Sequence, residues 1–332
     1  GDLGPSTCSG GGHGYVFNRI LVPTDSTSSQ KYALNHKGKL YNSLGGILAL
    51  ISSQAPSMNF QSLIDESVCS GAALHLLCLQ AKSLTTDPAV KGLTWPGTAS
   101  CCTSSPCFNT ISGQCSYTAM ASCFSGSSLL SPVKGQPAAV ASGAITAGAL
   151  KLGPGKAVLY VPLPGASGAA GGIQVVLKGA TISGSVSGSS ISSGILAGAV
   201  DKKDLNNKVI PALATGINAT YTSSSTDAST KALLKTLFDT NKDGKITTAE
   251  VAGNGLIKTF LDGDVDVDGD GIKELSVGVG FRALGATIQG GFRPPSRCWP
   301  WPAAGVRATA RLLGRRPAPP GPAAVPRTGP PP

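Results

Sequence analysis

The 332-residue chain has no apolar run approaching the ~20 residues that a membrane-crossing helix needs, so no such helix is expected. Charge is scarce as well: charged residues make up 13% and aromatics 5%, while Gly reaches 44 residues and Ser and Thr crowd most segments. That composition favours short strands and turns over long helices. Histidine is limited to His13, His36 and His75, and no Gly-x-Ser-x-Gly occurs, so a hydrolytic triad is not readable. His75 stands in an apolar run and reads as a core residue. Asp65 and Glu66 are sequence neighbours on a helical segment and point apart, which speaks against a paired acid and base. No Cys-x-x-Cys pair exists either, which leaves zinc the weaker reading of the cysteines.

Nine cysteines remain, eight of them before residue 124: Cys8, Cys69, Cys78, Cys101, Cys102, Cys107, Cys115 and Cys123. An even set of this density reads as a disulfide framework and an oxidising compartment, with connectivity left open. The chain starts at Gly1 with no visible signal peptide, which reads as a processed or truncated N-terminus. Cys8 near that start invites a lipoprotein reading, although Pro5-Ser6-Thr7 is not the small apolar run that lipidation expects.

The net charge of +10 is uneven. Residues 291 to 332 carry seven Arg and no acid, leaving 20 basic and 17 acidic groups elsewhere. Residues 239 to 274 hold nine of those acids against four Lys, a concentration suited to a cation site.

Residues 1 to 14 read as a flexible leader and 15 to 225 as a β-rich body, with a Cys-rich insertion at 95 to 135. Apolar alternations at 144 to 152, 156 to 163, 173 to 182 and 194 to 200, separated by Gly, Pro and Ser, predict a mixed, β-rich α+β fold: an antiparallel sheet or sandwich with a few short helices. Helical segments are expected at 60 to 70, where Leu63, Ile64 and Val68 share a face, and from Asp201, where Pro211 threatens the second half. Residues 44 to 53 suit a short helix or strand, and 73 to 81 a strand. Residues 226 to 290 form a calcium module and closing strand. After 290 Arg replaces Lys completely and Pro rises, which reads as a disordered tail, either natural or translated from another frame of a GC-rich gene.

The most specific motif runs from Asp239 to Glu250, DTNKDGKITTAE. Asp239, Asn241 and Asp243 place oxygen ligands at positions 1, 3 and 5, and Gly244 permits the sharp turn at 6. Lys245 offers its carbonyl at 7, Thr247 contributes at 9 directly or through water, and Glu250 supplies two oxygens at 12. Leu233, Leu234, Leu237 and Phe238 form a stripe leading in, and Thr247 with Glu250 makes a capping box leading out. Calcium is the implied ion.

A second acidic run follows, containing Asp264, Asp266, Asp268 and Asp270. It fits the first half of a calcium loop in two registers, from Asp264 with Gly269 sixth or from Asp266 with Gly271 sixth. Neither puts a carboxylate twelfth, and Glu274 is the nearby substitute. The run is thus an atypical, weaker site or a calcium-free turn. Leu275, Val277, Val279 and Phe281 then alternate as a strand, not an exit helix.

The segments YVFNRILVPT, LGGILALISSQ, LYVPLPGA, DKKDLNNKVIPALA, FDTNKDGKITTAE and LSVGVGFRALGATI, spread over residues 15 to 288, together resemble a group of uncharacterised exported proteins and lipoproteins of myxobacteria. The resemblance implies export and calcium binding but no reaction. Two departures stand out: Asn35 to Asn42 lacks the carboxylates that the group often has there, and the group usually ends near residue 288. Three functions compete. The first is a calcium-binding exported or cell-surface protein with a structural or interaction role and an unidentified envelope partner. The second is an extracellular hydrolase with structural calcium. The third, nucleic-acid binding, rests on the basic tail alone, where Trp299 and Trp301 interleave with Arg.

Overall fold

A computed structural model describes residues 8, 12–54, 60–69, 73–99, 108–109, 114–115, 129–133, 138–162, 172–224, 226–255, 257–258 and 262–288. The tail after 290 and most of the Cys-rich insertion lie outside the described residues.

The described strands are β1 (His13–Leu21), β2 (Leu34–His36), β3 (Lys39–Tyr41), β4 (Leu74–Gln80), β5 (Asp87–Ala99), β6 (Phe108–Asn109), β7 (Gln114–Cys115), β8 (Leu129–Pro132), β9 (Ala139–Thr146), β10 (Ala149–Pro162), β11 (Gly172–Val186), β12 (Ser190–Val200), β13 (Leu275–Gly285) and β14 (Thr287–Ile288). Eight of them pair in the order β5-β4-β1-β13-β12-β11-β10-β9, and β9 returns to β5, so the sheet closes on itself. All eight pairings are antiparallel. The result is a β-rich α+β protein built on an eight-stranded barrel, in which chain neighbours are sheet neighbours throughout.

The expected antiparallel sheet is therefore present, but neither as an open sheet nor as a sandwich. The ring closes where β1, first of the eight in the chain, pairs with β13, the last; β5 takes Leu74–Gln80 along one edge and, at Asp87 and Val90–Thr94, Ile145 and Gly143–Ala139 along the other. That second edge is joined across a long excursion in sequence, which local alternation does not reveal.

Alternation decides which side chains fill the barrel. Tyr15, Phe17, Leu77, Leu177, Ile182 and Phe281 are among the buried residues of one continuous core. Phe17 stacks on Phe281 at 4.1 Å and on His75 at 5.4 Å. His75 is the core residue the sequence suggested. Its Nε2 accepts the Tyr160 amide, and burial holds its pKa down at about 3, so the imidazole stays neutral. The Thr94 hydroxyl likewise accepts the Val158 amide at 2.9 Å. These two side chains supply partners to β10 beyond Leu152, where its pairing with β9 ends. Truncating Phe281 would cost about 3–5 kcal/mol, the usual range for a large aromatic removed from a packed core.

Helices α1 (Ser26–Lys31), α2 (Ser43–Gln54) and α3 (Phe60–Cys69) fill the β1-to-β4 connection. Ile64 and Val68 bury the α3 stripe as expected, and Gln61 fixes the helix by accepting from the Val22 amide and donating to the Ile20 carbonyl. Within residues 1 to 14, His13 and Gly14 already belong to β1, and Cys8 forms a disulfide with Cys78 of β4, which ties it to the barrel.

A helical crossover spans β12 to β13. Lys202–Asp204, Leu205–Val209 and Ile210–Thr222 run on as α4, followed by α5 (Ala228–Phe238) and α6 (Thr248–Gly253). Pro211 does not end α4. The turn before it, Leu205–Val209, is a π-helix, and Pro211 sits in the first turn of the next segment, where a missing N–H costs least. Leu205 and Val209 join the barrel core, whereas Ile210, Ala214 and Ile217 pack with Leu234, Phe238, Ile246, Val251 and Ile257 in a second small core. Helices on both sides of residue 225 share this second core.

Candidate metal loops on the crossover

Loop one, Asp239 to Glu250, is held at both ends by its helices. Asp227 caps α5, whose buried Leu234 and Phe238 lead straight into Asp239. Thr247 and Glu250 form the expected capping box at α6. Inside the loop, Asp239 Oδ2 accepts from the Gly244 amide at 3.2 Å and from the Tyr221 hydroxyl at 3.3 Å. Asn241 Oδ1 accepts from the Asp243 amide, and Asp243 Oδ1 accepts from the Lys245 amide at 2.8 Å. Asp239 is only 4% exposed, yet its Oδ1 is buried without any hydrogen-bond partner. A buried carboxylate oxygen left in this state is costly unless a donor or a cation meets it.

Glu250 is turned across the loop. Its Oε1 accepts from the amides of Thr240 and Asn241 and from the Thr240 hydroxyl, and its Oε2 accepts from the amide and hydroxyl of Thr247. Those bonds, led by the Thr247 amide, hold its pKa at about 2. The carboxylate is therefore ionised at neutral pH.

Loop two repeats this backbone with Asp266 as its first residue. Asp266 Oδ2 accepts from the Gly271 amide at 3.1 Å, as Asp239 does from Gly244, and Asp270 Oδ1 accepts from Ile272 at 2.8 Å, as Asp243 does from Lys245. The left-handed positions coincide too: Lys242 (φ 61°) and Gly269 (φ 78°) stand fourth, Gly244 (φ 82°) and Gly271 (φ 84°) sixth. Of the two registers open in the sequence, the one from Asp266 is therefore formed. Asp264 does other work: its carboxylate accepts from the amide and hydroxyl of Ser276 at 2.8 and 2.6 Å, pinning the loop to the start of β13. In this register Glu274 stands ninth and Val277 twelfth, and the chain leaves as a strand.

The carboxylates of Asp266, Asp268 and Glu274 lie within 4.8 Å of one another, close enough to share a metal ion. They are the one such group of three or more His, Cys, Asp or Glu among the described residues. Asp239, Asp243 and Glu250 are not drawn together to that degree, because Glu250 is held by the loop amides. Asp270 stays outside the group, bonded to Ile272.

Lys178 of β11 reaches the same group. Its Nζ lies 3.2 Å from Asp268, 3.4 Å from Glu274 and 3.7 Å from Asp201, the residue that caps α4. Burial alone would pull the lysine pKa down, but bonds and charges from Asp268 and Glu274 outweigh this and raise it. Glu274 itself is 2% exposed, and its other oxygen accepts from the Val267 amide. Lys178, Asn218 and Tyr221 are contributors that the sequence did not mark. They stand 18 to 96 residues from the carboxylates or amides they bond, so no local spacing identifies them.

Comparison with models of known families, with curated proteins and with solved structures gives no match. No described helix is long and apolar enough to cross a membrane.

Proposed function

We propose that this chain is an exported or cell-surface calcium-binding protein, in which calcium at loop one braces the helical crossover and a weaker site forms at loop two. The observation that carries the reading is Asp239 Oδ1, a buried carboxylate oxygen without a partner at position 1 of a complete ligand series. All-oxygen donors and a flexible twelve-residue loop suit calcium, which accepts six to eight oxygens, better than thiol- or imidazole-seeking metals. The Cys8–Cys78 disulfide supports an oxidising compartment. The resemblance to exported myxobacterial proteins points the same way. The role is structural or interactive: α4 and α5 join the calcium loop to a core of their own, so binding there stabilises the crossover as a unit.

The test is thermal unfolding with calcium and with EDTA. Extracellular modules work with dissociation constants of about 10⁻⁴ to 10⁻³ M. At calcium 100 times that constant, one site adds about 2.7 kcal/mol to folding. Wild type should melt higher in calcium, and Glu250→Gln should lose most of the difference. Equal melting temperatures in calcium and EDTA for wild type would remove the proposal.

A further inference from the structure

Two side chains on one face of α4 reach the first and eighth positions of loop one. Asn218 Oδ1 accepts the Ile246 amide at 2.9 Å, and the Tyr221 hydroxyl donates to Asp239 Oδ2 at 3.3 Å. They are three residues apart on a helix, hence neighbours on its surface. Ile246 stands eighth in the loop and is buried at 4%, so its amide is a donor that water does not readily satisfy. The bond to Asn218 fixes the backbone between Lys245, whose carbonyl is the seventh-position ligand, and Thr247, the ninth. Tyr221 and Gly244 together occupy Oδ2 of Asp239, which leaves Oδ1, buried and without a partner, as the oxygen free to meet a cation.

We infer that Asn218 and Tyr221 are positioning residues that preorganise loop one for a divalent cation and set its affinity. The inference rests on the reading of loop one as the calcium site. Its physical basis is that a loop already held in its bound shape loses less conformational freedom on binding, and this appears directly as affinity. Neither residue is a ligand; each acts through a loop residue that it holds.

The test is calorimetric calcium titration of full-length wild type, Asn218→Leu, Asn218→Asp and Tyr221→Phe, with each variant's melting temperature recorded in EDTA. Leu is close to Asn in size but lacks the acceptor; Asp keeps it. Asn218→Leu should bind calcium about tenfold more weakly, the scale of one hydrogen bond to a buried amide. Asn218→Asp should return to wild-type affinity or better, and Tyr221→Phe should weaken binding by about threefold. A merely structural role would lower the EDTA melting temperature of Asn218→Leu and leave its calcium affinity unchanged. Asn218→Leu within twofold of wild type, or Asn218→Asp as weak as Asn218→Leu, overturns the role of Asn218. Tyr221→Phe, which removes one hydroxyl and should fold, decides the role of Tyr221 alone: unchanged affinity overturns it. Wild type that binds no calcium overturns the loop-one reading itself, and this inference with it.

Discussion

In loop one the first carboxylate, Asp239, is 4% exposed and keeps Oδ1 without a partner, whereas in loop two the most buried carboxylate, Glu274 at 2%, is bonded to Lys178 and to the Val267 amide. The two loops share the glycine at position 6 and the bonds between positions 1 and 6 and between 5 and 7. They differ in where positive charge comes from. Loop two brings an ammonium from the barrel wall; loop one has no ion pair among the described residues. A shared backbone motif thus does not imply equal demand for an outside cation. The loop with an unmet oxygen should bind calcium first, and the loop with Lys178 should bind it only in competition with the lysine.

Removing the internal cation attacks this contrast most strongly. Lys178→Met leaves Glu274 buried and unpaired, and breaking a fully buried pair costs about 3–5 kcal/mol. Lys178 is about a third exposed, so a loss of about 2 kcal/mol is expected in EDTA, discounted for solvent screening. Millimolar calcium should recover part of it by taking the lysine's place. Denaturant unfolding with and without calcium measures both quantities, and a variant as stable as wild type in EDTA would show that the ion pair does not brace loop two.

Acid should act on loop one through Glu250. Its folded pKa is about 2 against an ordinary 4.5, so the folded state gives up the proton more readily than the unfolded one. That contribution is present above pH 4.5 and is lost as the pH falls through about 2. Melting temperature followed from pH 5 downward in EDTA should therefore decline, and Glu250→Gln should flatten the decline. An identical slope in the variant would assign the acid sensitivity to other groups.

Smaller effects sharpen the contrast further. Asp268→Asn removes one charge from a site that lacks a twelfth-position carboxylate and has Lys178 beside it. It should reduce calcium stabilisation by less than about 1 kcal/mol, well below the effect of Glu250→Gln. Lys242→Gly gives loop one the glycine that loop two has fourth. Relief of the left-handed strain at φ 61° is partly offset by glycine entropy, and a net gain of about 0.5 kcal/mol is expected by chemical denaturation. A loss would mean that the fourth positions are not equivalent.

Much of this was legible in the sequence wherever the cause is local. Period-two alternation gave the strands around 156 to 163, 173 to 182 and 275 to 281, and the loop-one ligand series, its leading stripe and its capping box follow from spacing alone. The segment from 144 to 152 reads as one run but holds two strands, because Ala147 and Gly148 turn between them. Barrel closure was not legible, since the pairing of β1 with β13 joins the first barrel strand to the last by backbone bonds that carry no side-chain signature. The register of loop two was not legible either. Asp264 and Asp266 satisfy the same spacing, and the choice is made by Ser276, which engages Asp264, and by the Gly271 amide, which engages Asp266. Eight cysteines allow 105 pairings, so the bond from Cys8 to Cys78 needed the fold.

The most direct test is calcium titration by calorimetry, after EDTA treatment, on wild type, Glu250→Gln and Asp268→Asn. Glu250→Gln neutralises the expected bidentate ligand while keeping its shape. The expected result is saturable binding to wild type, retained in Asp268→Asn at the stronger site and lost in Glu250→Gln. Glu250→Gln binding calcium as tightly as wild type would contradict the assignment of residues 239 to 250 as the principal calcium site.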